Sequence, residues 1–271
     1  MVRIAHISDI HFGRISHPAI VQALIDDINS SDVDLVVASG DLTQRAFGHQ
    51  FRAARRMLAA FDAPTLAVPG NHDVFPWWRI FSRLLDPLRR FRKIISEDLA
   101  PEVHLEGATV KGINSAFGWT IQGGRVTEKE LNQIRTGFDL AAPDDIRILV
   151  VHHHLAKLDG LGDHDMVQGA EEALSAALGA RVELVLSGHL HVSHAVEVEL
   201  EGEKLVVASS GTSTSSRGRG KDKASNYYNL IEIEDLSIAI DERRFDPEAQ
   251  VFIPQKRQLF ERNAGRASIM L

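Results

Sequence analysis

Residues 3 to 68 alternate short apolar runs with amphipathic stretches, and that alternation leaves few folds open. Arg3 to Ile7, Leu35 to Ala38 and Thr65 to Val68 read as buried strands. Between the first two, Ile20, Val21, Leu24, Ile25 and Ile28 recur at helical spacing, with Pro18 near the start. Between the second and third, an Ala- and Arg-rich helix is expected from about Phe47 to Phe61. Strand, helix, strand, helix, strand predicts a βαβ core with parallel pairing, because a helix must cross over to return the chain in the same direction.

Further strands are expected at Thr109 to Ile113, Ile146 to Val151 and Val182 to Leu186, and Thr127 to Glu130 has the capping-box pattern that opens a helix. From Ala195 onward the period changes to two: Val196, Val198 and Leu200 alternate, as do Ile231 and Ile233, then Ile238 and Ile240. This reads as antiparallel hairpins packed as a second sheet. The Ser/Gly/Arg-rich stretch from Ser209 to Lys223 reads as a mobile loop. A domain over 1–245 is expected, with 246–271 as a carboxy-terminal arm or tail.

Five short motifs each follow an expected strand: Asp9-Ile-His11, Gly40-Asp41, Gly70-Asn71-His72-Asp73, His152-His153-His154 and Gly188-His189-Leu-His191. In α/β sheets, ligands gather outside the carboxyl ends of the strands. Asp9 and His11 are two apart, so an extended segment points both the same way, and His189 and His191 repeat that spacing. Glycines at 40, 70 and 188 allow tight turns and close backbone approach. The chain contains no cysteine, which leaves only nitrogen and oxygen ligands; carboxylate, imidazole and carboxamide suit Mn, Fe or Zn rather than a calcium cage. Asp9, His11, Asp41, Asn71, one central histidine, His189 and His191 are too many for one tetrahedral ion. They fit two ions sharing a bridging carboxylate.

As a set and in this order, the five motifs resemble those of the calcineurin-like metallophosphoesterases, over roughly residues 3 to 215. The resemblance implies an α/β fold: a β-sandwich of two mixed sheets flanked by helices, an αββα arrangement. It also implies a dinuclear metal-dependent phosphoesterase that cleaves phosphodiester bonds with a metal-bridging hydroxide. Asp9, His11 and His191 would hold one metal; Asn71, His189 and a central histidine the other; Asp41 would bridge. Asn71 and His72 would contact substrate, and His72 would assist the leaving oxygen, with Asp73 either orienting His72 or capping a helix. Where the family often has proline after the central histidine, this chain has Leu155, an alignment that makes His153 the ligand with His152 as the alternative. His6, His17, His49, His104, His164 and His194 read as structural or solvent-facing.

The segment from Phe75 to Ile95 carries an apolar stripe of Trp77, Phe81, Leu84, Leu88, Phe91 and Ile95, and its residues 77 to 93 hold six basic side chains and one acid. It reads either as a helical pair packed on the core with a solvated basic face, or as a cap near the site that meets an anionic or lipid-bearing substrate or a membrane surface. Arg217 and Arg219 read either as phosphate contacts or as solvated loop charges. A small-molecule phosphodiester is the expected substrate. A pyrophosphatase acting on a nucleotide-linked lipid precursor of UDP-diacylglucosamine type and a nuclease are the alternatives. The net charge of -7 disfavours nucleic acid as a partner. The lack of cysteine and of a signal-peptide pattern at Met1–Asp9 leads to an expected cytoplasmic location, either free or peripheral to the inner membrane face. A homo-oligomer is compatible with this pattern.

Overall fold

The computed structural model describes residues 1–120, 123–157, 166–200, 202–218 and 225–262. The expected amino-terminal alternation is realised as β1 (Val2–Ile7), α1 (Ile20–Asn29), β2 (Leu35–Ala38), α2 (Gly48–Leu58) and β3 (Thr65–Ala67). Two short helices follow, α3 (Ile80–Leu85) and α4 (Arg89–Ile94). Next come β4 (Glu102–Leu105), β5 (Ala108–Gly112), α5 (Glu128–Thr136), β6 (Ile146–Val150), α6 (Ala170–Gly179) and β7 (Leu184–Ser187). The chain continues through β8 (His194–Leu200), β9 (Glu203–Ser209), β10 (Tyr227–Ile233), β11 (Ser237–Asp246) and β12 (Val251–Glu261). α5 opens as the capping box requires, with Thr127 N donating to Glu130 Oε2 at 3.0 Å.

These strands form two six-stranded sheets, in the orders β12-β11-β10-β1-β2-β3 and β4-β5-β6-β7-β9-β8. Both are mixed. β1, β2 and β3 run parallel while β10 to β12 are antiparallel, and β5, β6, β7 and β9 run parallel between antiparallel edges. The inner parallel strands are apolar on both faces because both faces are covered. Leu35, Val37, Ile146, Ile148 and Val150 pack between the sheets. Val36 and Ala38 face α1 and α2, and Leu149 and Val151 face α5 and α6. Each fully buried aliphatic side chain in these layers contributes about 1.5–3 kcal/mol relative to exposure. The result is the expected α/β sandwich with helices on both outer faces.

The structure departs from the expected hairpin arrangement. The hairpins after Ala195 do not make one sheet of their own. β8 and β9 extend the second sheet, with β9 parallel to β7 (Leu184↔Val206), while β10 joins the first sheet beside β1 (Val2↔Ile233). The segment expected as an arm also differs: β12 pairs with β11 from Asp246↔Val251 to Ser237↔Glu261, so it is an edge strand. Pro254 to Arg257 are all exposed, and a strand open on one side shows no alternation to read. Residues 263–271 lie outside the described residues.

Candidate metal centre

The parallel strands of both sheets end at one side of the sandwich, and all five motifs stand there, directly after β1, β2, β3, β6 and β7. The backbone that presents them is not extended. Asp9, His11, Asp41, His189 and His191 have φ of 51°, 48°, 54°, 71° and 60°, the left-handed region that non-glycine residues enter at a cost. Shared direction therefore comes from paired left-handed turns, not from the pleat of a strand. Gly70 allows the loops to close: a Cβ there would lie 2.2 Å from Asp41 Oδ1 and 2.4 Å from Asp41 N.

Two groups of donors result. In the first, Asp9, His11, Asp41 and His191 bring one ligand atom each to within 4.8 Å of one another, all buried. His191 Nε2 is 3.1 Å from Asp9 Oδ1, and His11 Nε2 is 3.6 Å from Asp9 Oδ1 and 3.6 Å from Asp41 Oδ2. In the second, His152, His153 and His189 cluster within the same limit. His152 Nε2 and His189 Nδ1 converge on Asn71 Oδ1 at 3.2 and 3.1 Å. Asp41 Oδ2 also lies 3.5 Å from His152 Nε2, so one carboxylate oxygen faces both groups.

The outer contacts set ring orientation. His152 Nδ1 donates to Ser39 O at 2.8 Å, His191 Nδ1 to Arg217 O at 2.8 Å and His72 Nδ1 to Gln44 O at 2.9 Å. A carbonyl only accepts, so in all three rings Nδ1 bears the proton, and Nε2 is the atom left for an ion or a substrate. Asp9 Oδ2 accepts from Ser8 Oγ and from His189 N, both at 2.8 Å. Its other oxygen, Oδ1, is buried with no hydrogen-bond donor. An acceptor buried without a donor among imidazole nitrogens is a place for a cation.

The electrostatics agree. Burial opposes charge on the Asp9 carboxyl, yet His191, His11 and His152 together hold it well below the usual carboxylate range. Burial likewise opposes charge on His152, but Asp41 outweighs it and lifts the imidazole to about 9. The pocket therefore holds a proton on His152, where a cation would supply the same positive charge. Burial, with His152 nearby, pushes His189 down to about 3, which leaves it a neutral ligand. Burial holds His72 down to about 4 despite Asp41, with His11 and Arg217 adding to the effect.

Asp73 takes neither of the roles weighed for it. It accepts from Leu42 N, Thr43 N, Thr43 Oγ1 and Gly70 N, fastening the loop after β3 to the loop after β2. Burial and the Asp41 charge push its carboxyl up to about 7 against those donors. His72 is oriented by Gln44 instead. Of the central histidines, His152 approaches Asn71 and Asp41, whereas His153 has Nδ1 bonded to Ser115 Oγ at 2.7 Å, and His154 is buried outside both groups. His152 and His153 both belong to the second donor group, and His152 is the one that also faces Asn71 Oδ1 and Asp41 Oδ2.

Residues 209–217 are also not the loop expected. Ser209, Ser210 and residues 212–215 are buried after β9, and their hydroxyls brace the first motif. Thr212 Oγ1 donates to Asp9 O at 2.6 Å, Thr214 Oγ1 to Ile10 O at 2.8 Å, and Ser8 N donates to Ser213 Oγ at 3.1 Å. The missed signal is position: a Ser/Thr run directly after a parallel strand lies at the same end as the motifs. Arg217 lies close enough to His72 to affect its charge. Arg219 and His164 lie outside the described residues. His6 is structural, buried with Nε2 on Ser39 Oγ at 2.9 Å.

Comparison with known proteins bears on the family and the fold. The profile of the family described as Calcineurin-like phosphoesterase matches residues 2–193. The 3',5'-cyclic adenosine monophosphate phosphodiesterase CpdA of Escherichia coli is 27% identical over 225 residues, 77% of this chain and 76% of that protein. The glycerophosphodiester phosphodiesterase GpdQ of Enterobacter lignolyticus is 35% identical over 82 residues, 26% of this chain and 29% of that protein. Among solved structures, a dimetal phosphatase from Danio rerio superposes with a TM-score of 0.65 at 13% identity, covering 96% of this chain and 98% of its own. A purple acid phosphatase from yellow lupin superposes with a TM-score of 0.73 at 12% identity, covering 96% of this chain and 53% of its own. These two likenesses concern the fold.

Proposed function

The chain belongs to the calcineurin-like phosphoesterase family, and from that premise we propose that it hydrolyses a small phosphodiester at a two-metal site. The observation that carries this is the position of Asp41 Oδ2, 3.6 Å from His11 Nε2 in one donor group and 3.5 Å from His152 Nε2 in the other. Asp9, His11 and His191 would hold one ion and Asn71, His152 and His189 the second, with Asp41 shared. The donor set of carboxylate, carboxamide and imidazole suits Mn, Fe or Zn. Bound divalent cations supply Lewis acidity to phosphoryl oxygens and acidify a water.

The chain's own groups do the rest. Ser39 and Arg217 carbonyls hold the Nδ1 sides of His152 and His191, which turns their Nε2 atoms into the two donor groups where ions would bind. Ser8 and the His189 amide fix Asp9 Oδ2 so that Oδ1 is the free donor. His72, held by Gln44 O, turns Nε2 toward the substrate; with a second proton taken up there when the anionic substrate binds, it would donate to the phosphoryl group and steady the charge on the departing oxygen. The substrate class is supported by the curated relatives, both of which are phosphodiesterases in name.

The test compares bis(p-nitrophenyl) phosphate with p-nitrophenyl phosphate, with Mn added and with chelator, on wild type, Asn71→Ala, His152→Ala and His153→Ala. Diester cleavage that needs metal and is lost in Asn71→Ala and His152→Ala, but retained above a tenth of wild type in His153→Ala, is the expected result. No cleavage together with no bound metal in elemental analysis refutes the reading. Loss confined to His153→Ala moves the second site to that residue.

A further inference from the structure

We propose that the face formed by residues 77–85 and Trp119 is a docking surface for an anionic phospholipid bilayer, beside the metal centre. The expected stripe does not pack as one unit. Leu88 and Phe91 enter the core, so the packed-helix reading holds for α4. Before Pro87 the side chains turn outward: Trp77 is 65% exposed, Phe81 82%, Leu85 84% and Trp119 80%, with Trp78, Ile80 and Leu84 exposed beside them. The four aromatics alone leave on the order of 500 Å² of apolar surface in water, at about 200 Å² per side chain. With the three aliphatics added, the face exceeds the patches of a few hundred Å² that soluble monomers usually show.

The face is rigid rather than a loose loop. Arg83 is buried, and its guanidinium donates to Gly118 O at 2.7 Å and also to Phe75 O and Thr120 O. One side chain therefore ties α3 to the loop that carries Trp119. Trp77 and Trp78 meet edge to face with ring centroids 5.7 Å apart. The Arg45 guanidinium sits 5.9 Å from the Trp78 ring centroid, and Arg90 Nη1 donates to Ala46 O at 2.7 Å. Residues 41–46 lead out of the motif containing Asp41, so the face borders the centre.

Charge selects the occupant. The chain carries a net charge of -7, yet residues 77 to 93 hold Arg79, Arg83, Arg89, Arg90, Arg92 and Lys93 against Asp86 alone. Arg45, Arg79, Arg89, Arg92 and Lys93 are exposed. Aromatic and aliphatic side chains rimmed by arginine and lysine match the boundary of an anionic bilayer, where rings sit at headgroup level and each basic residue adds attraction. A second copy fits worse, because a two-fold contact would set basic rim against basic rim. A single-stranded nucleic acid fits worse because Ile80, Leu84 and Leu85 offer bases no ring to stack on. Among the described residues, no helix is long and apolar enough to cross a membrane, so contact is at the surface.

The chain has three tryptophans, and Trp77, Trp78 and Trp119 all lie on this face, so their emission reports on it directly. The full-length protein is mixed with vesicles of phosphatidylcholine, with or without phosphatidylglycerol, and followed by flotation and tryptophan emission. Expected are association and a blue shift on the phosphatidylglycerol vesicles, both weakened by salt and reduced at least tenfold in Phe81→Ser/Leu85→Ser and in Arg79→Glu/Arg89→Glu. Hydrolysis of the soluble diester stays within twofold of wild type in both variants, so docking and the catalytic reading fail separately. The proposal is overturned by absence of association, by equal association with neutral vesicles, by binding an oligonucleotide instead of vesicles, or by a self-associated form that Phe81→Ser/Leu85→Ser dissolves without any vesicle binding in the wild type.

Discussion

Gly188→Ala tests whether the site depends on close backbone approach. A Cβ at this position would lie 1.8 Å from Ser8 Oγ, 2.9 Å from Ser8 Cβ and 2.7 Å from Asp9 Oδ2. Ordinary contact begins at 3.4 Å, so Ser8 Oγ alone must move by roughly 1.6 Å in a fully buried position. Rotating the hydroxyl is not enough, because Ser8 Cβ is also too near; the loop after β1 must shift. Overpacking of this kind costs about 1–3 kcal/mol, and losing the Ser8–Asp9 hydrogen bond adds about 1 kcal/mol. For a chain of this length that corresponds to a drop in Tm of roughly 4–7 °C. With Asp9 displaced, Mn binding at the proposed first site should weaken about 10- to 100-fold. Calorimetric melting of the chelated protein and titration with Mn measure the two effects. Ser8→Gly in the same chain removes both Ser8 atoms and leaves only the Asp9 contact, so it should restore at least half of the lost Tm. Unchanged Tm and Mn affinity in Gly188→Ala, or no rescue by Ser8→Gly, would refute the reasoning.

Three further outcomes follow from the same structure. His152 has its pKa raised from 6.5 to about 9, chiefly because Asp41 outweighs burial. In the metal-free protein its contribution to stability is therefore present below 6.5 and lost as pH rises through 9. Metal at the proposed second site would displace that proton, so Mn affinity should rise nearly tenfold per pH unit up to about 9, with about one proton released near pH 7, read from the dependence of binding heat on buffer. His6 is pushed the other way, from 6.5 to about 3 by burial against the pull of Asp9. The unfolded chain takes up a proton there before the folded one, so stability is lost as pH falls from 6.5 to 3, by at most about 5 kcal/mol; His6→Gln should show a visibly flatter plot of Tm against pH over that range. Tyr228 donates to Asp27, which also receives Arg243 Nε at 2.9 Å and Nη2 at 2.5 Å, joining α1 to β10 and β11. Tyr228→Phe should cost about 1–2 kcal/mol and Asp27→Ala about 3 kcal/mol, because the latter strands Arg243; urea melts giving equal costs would contradict this.

The parts legible in the sequence share a property: their signal is local. Leu35 to Ala38 announces a strand because both of its faces are buried, and the motif residues announce candidate ligands because their types and order are specific. The parts that escaped depend on distant partners. Nothing within Tyr227–Ile233 says that its neighbour is Val2–Ile7 rather than the preceding hairpin. Serines and threonines after Ser209 look solvent-loving, and only the backbone carbonyls of Asp9 and Ile10, two hundred residues earlier, explain their burial. The Phe75–Ile95 stripe has one period in sequence, but it breaks at Asp86-Pro87 and its halves meet different surroundings. The candidate ligands could be named from the sequence while the reason for their shared direction could not, because side-chain types are written in the sequence and a left-handed φ is not.

That left-handed backbone has a consequence for anyone who would transplant this centre. Asp and His are both good ligands and among the few non-glycine types that enter the left-handed region with any frequency. At Asp9, His11, Asp41, His189 and His191 one residue answers both demands. A glutamate at 9 or 41 would fail on conformation as well as reach, and a scaffold offering the same side chains from regular strands or helices would aim them elsewhere. A graft must therefore copy the turns before the ligands, and libraries at these five positions will return few alternatives even where another donor atom could satisfy the ion.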